Sequence, residues 1–443
     1  MPRGSSLSRI SQKSYLPPAS VVPSISSRLD HLSLGIIGVD SRPAVIIDVG
    51  TALTKIGYAG EFVPRAILRT ELLHDCTGES IKVLDNTLDE RDFYRRLAKF
   101  FRELFLNYYA LCLLMIFRFA LTTTKDRRVV IVESILARTP YRNLVARVLF
   151  ENFDAPSILF APSHLLATFP FGVSSALVID VGYSNATVVP ILDGVTMVFQ
   201  LETSCVGAKY LEERVHELLR KYGKILTKLG MERPLIDSDD LLLKKERILE
   251  DIVVRFCFAT KMDRGRLMQS AEYHGESELL AAPCDVRLPF GDEVLIVPGI
   301  VREWTAEVIF EENSDFKSLP QLVLDCVYRC PIDTRKKLLE SMLLTGGTTR
   351  MQGFYARLQN EILRLVTTSD YANKLGHIGS VKFYRLPKSS VELYGSWIGG
   401  SMFGALEILQ YRSLTRENWQ ACGDVPDWIV GVHEIDPKIF KSR

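Results

Sequence analysis

Two stretches decide the fold: AVIIDVGTALTKIGYAG at residues 44–60 and ALVIDVGYSNATVVPILDG at residues 176–194. In each stretch a β-branched run ends at an aspartate, passes a glycine two residues later and resumes as a second apolar run. This pattern predicts a β-hairpin. The second copy follows the first by 132 residues. An internal repeat at that distance predicts two pseudo-equivalent α/β halves that face each other, and not a solenoid.

The aspartate that ends each first strand, Asp48 or Asp180, is the candidate metal-organising group. A carboxylate at a strand tip can hold a hydrated Mg²⁺, and the neighbouring Gly50 or Gly182 lets backbone N–H groups approach a phosphate. One such motif alone is more often a plain hairpin turn. Two copies, with Lys55 seven residues after Asp48, predict opposed hairpins that grip one polyphosphate from both sides.

A third motif combines a glycine pair with a predicted helix. The apolar run at residues 343–345 ends at Gly346 and Gly347, and residues 351–366, MQGFYARLQNEILRLV, have helical spacing. Glycines before a helix N-terminus let a nucleotide approach the backbone, and the terminal N–H groups favour its anionic part. Taken alone, the segment is more typical of an ordinary strand-to-helix loop.

The composition is that of an ordinary globular protein and excludes several classes. The 443 residues are enough for about three domains of ~150 residues each. With 47% hydrophobic and 24% charged residues, the chain is not disordered, collagenous or coiled-coil as a whole. A net charge of +1 provides no global field for nucleic acid or an anionic membrane. Eight scattered cysteines without a CxxC pair predict buried free thiols in a reducing compartment.

Two segments bear on the compartment of the protein. Residues 1–43 are rich in Ser and Pro, with five basic and two acidic residues. We expect a disordered tail here in preference to an organelle transit peptide. Residues 104–121, LFLNYYALCLLMIFRFAL, are apolar except for Asn107 and Arg118. A membrane span needs about 20 apolar residues, so the segment predicts a buried helix continuous with the amphipathic residues 89–105.

The three motifs, in this order and spacing, resemble the actin family. The resemblance runs from about Ala44 to Trp428 and includes YGSWIGGS at residues 394–401. It implies an α/β chain with the actin/Hsp70-like ATPase fold, in which two ribonuclease-H-like lobes surround a nucleotide cleft. The implied domains are a tail (1–43), a first lobe with an apolar insertion near 104–121 (44–170), a second lobe (171–385) and a C-terminal return to the first lobe (386–443).

The resemblance also implies a cofactor, ATP or ADP with Mg²⁺, bound structurally. Asp48 and Asp180 match the two carboxylates that organise the metal through water, and Lys55 matches a phosphate-contacting lysine. Thr51 supplies a hydroxyl where the first hairpin of the family usually has serine. The other cofactor-binding residues that we expect are Gly50, Gly182, Tyr183, Gly346, Gly347 and Thr348.

Three departures from the family pattern predict very slow or absent hydrolysis. Ser163 stands where the family has a water-orienting glutamine, Tyr183 where the second hairpin continues with aspartate, and Thr187 where it has histidine. Because catalysis of phosphoryl transfer is mostly positioning plus electrostatics, each lost group costs about 10²-fold or more. We therefore expect a structural protein and not an enzyme.

Other departures predict weaker, but retained, nucleotide binding. Ala52 and Ser184 replace glycines of the two turns, and a Cβ there hinders the backbone from closing on phosphate. Val253 and Val254 stand where actin has lysine and glutamate around the adenosine. A nucleotide bound under these conditions would tie the two lobes together by mass action without being consumed.

Two changes at the surface that corresponds to the pointed end of an actin subunit predict a filament cap. No stretch between residues 60 and 129 resembles the glycine-rich loop with which actin contacts the next subunit, and residues 221–248 add a further segment. A head-to-tail interface stays open-ended unless one copy lacks the complementary face. A chain that keeps one face and rebuilds the other can join a filament end and block further addition.

A narrower resemblance supports this prediction. The sequences at 126–134, 161–166, 330–336 and 425–428 are similar to actin-related proteins of the dynactin pointed-end complex. This likeness implies a cytoplasmic, cytoskeletal subunit that caps the actin-like filament of dynactin. Its implied partners are the filament subunits, the other pointed-end subunits and, indirectly, dynein and its cargo; neither nucleic acid nor direct membrane insertion is implied. Residues 107–116 look like an insertion relative to this subfamily.

Two alternative functions, two individual residues and one charged run remain open from sequence. An active ATPase or kinase on the same fold would need an acidic base poised in the cleft, and a nuclear, chromatin-associated relative would be expected to carry a long charged insertion.

For His164 a satisfied buried histidine is favoured over a phosphate or metal contact. Tyr183 could hydrogen-bond near phosphate or plug the cleft. The charged run at residues 244–247 is typical of a solvated helix face.

Overall fold

The computed structural model describes residues 42–74, 79–85, 87–114, 127–274, 283–312, 316–368, 371–386, 392–407 and 409–426. The predicted disordered tail therefore lies almost entirely outside the described residues. So do residues 115–121 of the apolar stretch and the chain beyond residue 426.

The strands follow the two hairpin motifs and the runs around them. In chain order they are β1 (Val45–Val49), β2 (Leu53–Tyr58), β3 (Ala66–Arg69), β4 (Glu71–Leu73), β5 (Ser80–Lys82), β6 (Val129–Glu133), β7 (Ser157–Pro162), β8 (Ala176–Val181), β9 (Ala186–Leu192), β10 (Val195–Thr196), β11 (Glu202–Ser204), β12 (Lys224–Leu226), β13 (Glu232–Pro234), β14 (Val286–Phe290), β15 (Glu293–Val297), β16 (Met342–Thr345) and β17 (Leu414–Thr415).

The helices alternate with the strands and cover the sheets. In chain order they are α1 (Glu90–Leu114), α2 (Thr139–Asn152), α3 (Ser163–Thr168), α4 (Ala208–Tyr222), α5 (Asp239–Lys245), α6 (Ile248–Arg255), α7 (Met262–His274), α8 (Gly299–Trp304), α9 (Leu319–Arg329), α10 (Ile332–Leu339), α11 (Phe354–Thr368), α12 (Ala372–Leu375), α13 (Gly395–Gly404), α14 (Leu409–Arg412) and α15 (Arg416–Cys422).

Each hairpin motif lies in a sheet of its own. The first sheet has the order β17-β7-β6-β1-β2-β3, with β1 antiparallel to β2 and parallel to β6. The second has the order β10-β9-β8-β16, with β8 antiparallel to β9 and parallel to β16, and β11 adds to β9. The buried parallel strands β1, β6, β8 and β16 read as continuous apolar runs because both faces are covered. The prediction of two similar strand-turn-strand units is confirmed.

The additional segment at residues 221–248 contributes two strands, β12 and β13, to a small antiparallel sheet and then forms a helix. The sheet has the order β13-β12-β15-β14, and α5 follows β13. Arg233 organises this part: it donates to Asp239 Oδ2 at 2.8 Å and to Glu293 Oε2 at 2.7 Å. Leu229 and Leu241 are nevertheless 82% and 75% exposed. The segment thus presents apolar side chains on an ordered polar frame.

Helix α1 confirms the prediction of one long helix through residue 114. Its apolar residues Leu97, Phe101 and Leu104 are at most 1% exposed and pack into the core of the first sheet. Their spacing of three to four residues places them on one helix face. Within the described part of the chain, no helix is long and apolar enough to cross a membrane. The side chains beyond residue 105 lie outside the described set.

Glycines let helix α13 pack closely against the first sheet and α3. A Cβ added to Gly399 would lie 1.9 Å from the carbonyl oxygen of Leu166, and one on Gly400 would lie 2.7 Å from Val132. Trp397 is fully buried, and its indole N–H donates to the carbonyl oxygen of Ile46 at 3.3 Å. The YGSWIGGS motif is therefore a close-packing element that fixes the C-terminal part of the chain on β1.

The cysteine prediction is only partly right. The described cysteines are free thiols, and Cys257, Cys326 and Cys330 are buried as expected. Cys284 and Cys422, however, are exposed. Their sequence neighbourhoods do not distinguish them, because burial depends on which elements cover a loop and not on the thiol itself.

Candidate functional site

The first hairpin brings the predicted metal-organising and phosphate-contacting residues together. Strand register places Asp48 opposite Lys55, and the Lys55 ammonium donates to Asp48 Oδ2 at 2.6 Å. The turn closes through the Gly50 N–H, which donates to the Leu53 carbonyl at 3.1 Å. A Cβ on Gly50 would lie 2.7 Å from that carbonyl oxygen, so the tight turn requires glycine. Thr51, at the tip of the turn, is exposed.

The second hairpin repeats this geometry and is joined by the third motif. The Gly182 N–H donates to the Asn185 carbonyl at 3.0 Å, and the Thr348 hydroxyl donates to the Gly182 carbonyl at 3.2 Å. Gly346 has φ +90°, and a Cβ there would lie 2.6 Å from Asp180 Oδ1. The predicted adenosine loop and the second hairpin therefore contact each other directly; the adenosine-binding role of the loop stays a prediction.

One detail of the third motif differs from the prediction. Residues Gly347–Arg350 form a short 3₁₀ turn, and α11 begins only at Phe354. The glycine pair therefore does not lead directly into the helix N-terminus, and the backbone N–H groups nearest to Gly347 belong to the 3₁₀ turn. The exposed Gly347 has no atom within 4 Å of an added Cβ, so its surface is open.

Electrostatic coupling relates the two hairpins. Burial, together with the negative charge of Asp48, raises the pKa of Asp180 to about 6, while the charge of Lys55 opposes the rise. Two carboxylates that repel each other are stabilised by a cation between or near them. Among the described residues no group of three or more His, Cys, Asp or Glu could cage a metal ion. Two carboxylates, Asp48 and Asp180, fit a hydrated Mg²⁺, since hard cations of this size prefer oxygen ligands and keep several waters.

Two of the three positions where the family places hydrolytic groups, Ser163 and Thr187, lie in a buried, neutral cluster around His164. His164 is 1% exposed; its Nε2 lies 2.7 Å from the Thr187 hydroxyl and its Nδ1 lies 3.3 Å from the Ser163 hydroxyl. Burial lowers the pKa of His164 to about 4, so the ring is neutral at physiological pH. The interpretation of His164 as a satisfied buried histidine is confirmed. Ser163 and Thr187 use their hydroxyls to hold this ring.

Tyr183 hydrogen-bonds at the edge of the second turn. Its hydroxyl donates to Glu212 Oε2 at 3.2 Å, and the Lys82 ammonium lies 5.3 Å from its ring centroid. Burial, together with the charge of Glu250, raises the pKa of Glu212 to about 7. Tyr183 is therefore engaged by a carboxylate and by a cation–π contact, and its two predicted roles, a hydrogen bond near phosphate and a plug of the cleft, stay predictions.

Sequence reasoning missed two ion pairs beside the cleft. Arg247 Nη1 donates to Glu71 Oε1 at 3.1 Å, and a second bond joins its Nη2 to Glu71 Oε2. Arg69 Nη1 lies 2.9 Å from Glu250 Oε2. The prediction of a solvated helix face for residues 244–247 is wrong for Arg247, because α5 ends at Lys245. Partners about 180 residues apart leave no local signal in a single sequence.

The two valines of the expected adenosine region are placed differently. Val253 is 8% exposed and packs in the core, whereas Val254 is 75% exposed. Both lie on the amphipathic helix α6, where neighbours in sequence point to different faces. Val254 therefore offers an apolar surface where the family has a charged residue.

Comparison with known proteins identifies similar chains over most of the length. The family model described as Actin matches residues 39–430. Actin-related protein 10 of Dictyostelium discoideum is 26% identical, with 86% of each chain covered. Putative actin-29 of the same organism is 23% identical over 86% of this chain and 95% of its own length. Actin-related protein 3 of Oryza sativa subsp. indica is 24% identical, with 86% and 94% covered.

Proposed function

Because the chain belongs to the actin family and has the actin/Hsp70-like ATPase fold, we propose that it is a structural, actin-related subunit that caps the pointed end of dynactin's actin-like filament. Its partners would be the filament subunits and the other pointed-end subunits, and through them dynein and cargo. A cytoplasmic, cytoskeletal location follows from this role. It would support microtubule-based transport and adaptor docking without turning over nucleotide at a significant rate.

The single observation that carries this proposal is the contrast between the two parts of the cleft. Asp48, Lys55 and Asp180 retain the charges expected of a nucleotide and Mg²⁺ site. Ser163 and Thr187, by contrast, hold a buried neutral histidine where a hydrolytic site needs groups that orient water. A site with the binding charges but without water positioning is suited to keep its ligand.

A nucleotide with Mg²⁺ would supply compensating charge between the two hairpins. Asp48 and Asp180 would hold the hydrated metal, Lys55 and the backbone of the two turns would contact phosphate, and Gly346, Gly347 and Thr348 would border the adenosine. Ser163 and Thr187, which contact His164, would not orient an attacking water. The ligand would then stabilise the folded, closed protein in proportion to its concentration.

The exposed apolar residues of the added segment support a rebuilt filament face. Leu229, Met231, Ile236 and Leu241 lie between residues 221 and 248, are more than half exposed, and stand on a frame of ion pairs. Scattered apolar residues are normal on protein surfaces, but several in one short segment are typical of a contact surface. This segment is the part of the chain that we assign to neighbouring pointed-end subunits.

Two measurements on the purified full-length protein test the proposal. We expect binding to the pointed end of the actin-like filament, seen as a block of further growth at that end, and ATP turnover far below that of polymerising actin. Turnover comparable to actin, or failure to bind that end, would overturn it. Leu241→Ser, on the exposed face of α5, should weaken end binding, while Tyr411→Ser, at an 84% exposed residue outside that segment, serves as the matched control.

One observation favours a second candidate, an active ATPase or kinase. Glu212 has a pKa of about 7, which is in the range of a general base. Its Oε2 accepts the Tyr183 hydroxyl, so that oxygen is engaged. If turnover is measurable and Glu212→Gln reduces it more than tenfold while nucleotide affinity is unchanged, the enzymatic alternative is favoured.

A further inference from the structure

Charged side chains join two elements across the cleft that are distant in sequence. On one side are β3 and the β4–β5 hairpin; on the other is α6 with the residue before it. Arg247 makes two hydrogen bonds to Glu71. Arg69 donates from Nη2 to Glu250 Oε1 at 3.0 Å, and its Nη1 lies 2.9 Å from Glu250 Oε2 as an ion pair. Paired guanidinium–carboxylate contacts of this kind have fixed geometry and are stronger than single-point contacts.

These contacts lie directly beside the two turns of the cleft. The Thr70 N–H donates to the Ala52 carbonyl at 2.9 Å, and the Thr70 hydroxyl donates to the Gly50 carbonyl at 2.7 Å. Thr70 connects β3 to β4, so the first turn and Glu71 are coupled through adjacent residues. On the other side, Tyr183 of the second turn contacts Lys82 of β5. A movement that separates the ion pairs would therefore also separate the turns.

The backbone of Arg247 has a conformation that is unfavourable for a residue with a side chain. Its φ is +53° and it lies in the left-handed region, which is uncommon for a residue with a long side chain. The conformation ends α5 and starts α6, and the guanidinium reaches Glu71. Burial of Glu71 opposes its ionisation, but the bonds from Arg247 and Ser80 and the nearby arginine charges hold its pKa below the ordinary value.

The β4–β5 hairpin, which carries Glu71 and Lys82, depends on contacts with other elements for its stability. Within the described residues, β4 and β5 pair only with each other, over three residue pairs. An isolated two-stranded hairpin is at best marginally stable. The hairpin is therefore held by its contacts with neighbours, including those across the cleft.

We propose that the Glu71–Arg247 and Arg69–Glu250 pairs, together with the Lys82–Tyr183 contact, form a side-chain latch. The latch keeps the cleft closed and sets the rate at which bound nucleotide leaves. Closure of the cleft is a property of the protein alone, whereas the effect on nucleotide release rests on the proposed nucleotide occupancy. In this arrangement closure depends on protein contacts as well as on the ligand, as suits a subunit that retains its nucleotide.

A double-mutant cycle tests the latch through nucleotide release. The full-length protein is loaded with a fluorescent ATP analogue and Mg²⁺, and its dissociation is followed after addition of excess ATP. Glu71→Gln and Arg247→Gln should each accelerate release about fivefold, the size expected for a partly exposed paired contact. The double variant should also release about fivefold faster, and not about 25-fold faster, because both changes remove one interaction.

A second ion pair provides the matched control. Lys228 and Asp292 form an exposed pair at 2.8 Å in the small antiparallel sheet, and Lys228→Gln changes the same charge as Arg247→Gln. We expect its release rate to be within about twofold of the unchanged protein, as for most exposed pairs. Multiplicative effects in the double variant, or equal acceleration by Lys228→Gln, would overturn the latch.

A measurement without nucleotide separates this inference from the proposed function. Amide hydrogen exchange of residues 66–73 and 80–85 in nucleotide-free protein should be faster in Glu71→Gln and Arg247→Gln, and no faster in the double variant than in either. If the unchanged protein binds no nucleotide, the proposed cofactor is wrong, and this exchange result still decides the latch. Exchange that is the same in all variants would refute it.

Discussion

At the scale of single residues, the two aspartates of the hairpins differ although their motifs are alike. Asp48 accepts a hydrogen bond from Lys55 at 2.6 Å. Asp180 lies beside Gly346 and has a pKa near 6, because burial and the charge of Asp48 disfavour ionisation. A cation bound nearby would therefore favour the charged form of Asp180.

Replacing Asp180 should remove one pH-dependent contribution to the stability of the nucleotide-free protein. The native pKa of about 6 exceeds the ordinary 3.8, so the native state binds more protons and its unfolding free energy falls as pH rises between these values. The fall is on the order of 3 kcal/mol. Asp180→Asn should remove it: the melting temperature of the variant relative to the unchanged protein should rise from pH 4.5 to pH 6.5 and level off above pH 7. A constant difference over this range would contradict the assignment.

The buried His164 should make the protein less stable as pH falls, which is opposite to the pH dependence expected from Asp180. Its native pKa of about 4 is below the ordinary 6.5, so stability is lost as pH falls through this interval. Between pH 6.5 and pH 5 the loss attributable to His164 is about 2 kcal/mol. Urea unfolding of the unchanged protein and His164→Gln at both pH values checks this. Equal losses in the two proteins would show that His164 is not buried in its neutral form.

At the scale of elements, the glycines of α13 decide how closely the C-terminal part approaches the first sheet. Gly399 faces the Leu166 carbonyl and Gly404 faces Ile46, in each case at distances that leave no room for a side chain. The helix gives up helix propensity at these positions, since glycine is a poor helix former. The close packing of α13 against α3 and β1 that these glycines allow offsets this loss of helix propensity.

One substitution in this helix should therefore be severe and another harmless. Gly399→Ala would place its Cβ 1.9 Å from a backbone oxygen, and relief requires the helix to move, at a cost of about 3 kcal/mol or more. Gly395→Ala, in the same helix, meets nothing within 4 Å and should be neutral or slightly stabilising. Thermal unfolding distinguishes them. Similar melting temperatures for the two variants would contradict the packing described for α13.

At the scale of the whole molecule, each sheet has its own large core, and the two carboxylates lie where the two hairpins face each other. Binding energy at such a place stabilises both halves together, because a ligand that contacts both is lost when either unfolds. The latch and a bound ligand would then each add to the free energy that stabilises the closed, folded state.

Adding and removing Mg²⁺ and nucleotide should change stability strongly. At a free ligand concentration of 100 times Kd, the unfolding free energy should increase by about 2.7 kcal/mol. We expect the melting temperature to rise with ATP and Mg²⁺ together and to return to its starting value with EDTA. Asp180→Asn should lessen the rise, since one metal-organising carboxylate is gone. A melting temperature that does not respond to ligand would argue against the structural cofactor.

Local patterns were sufficient for the repeated hairpins, the long helix through residue 114 and the meeting of Asp48 with Lys55, because each depends on residues close in sequence. The burial of His164 was also predictable, since its neighbours are apolar. The role of Arg247 and the exposure of Cys284 were not, because the first depends on Glu71, 176 residues away, and the second on what covers a loop.

The sequence by itself determined that this chain has two α/β halves, with an aspartate and a glycine at the end of each first strand, and departures where the family positions water. Alternating and continuous apolar runs encode such elements directly, since side-chain burial follows strand and helix periodicity. Only the tertiary structure decided which charges meet across the cleft, how near neutrality Asp180 and Glu212 titrate, and where glycine is sterically required. Those properties come from desolvation and from contacts between segments far apart in the chain, and local sequence does not specify either.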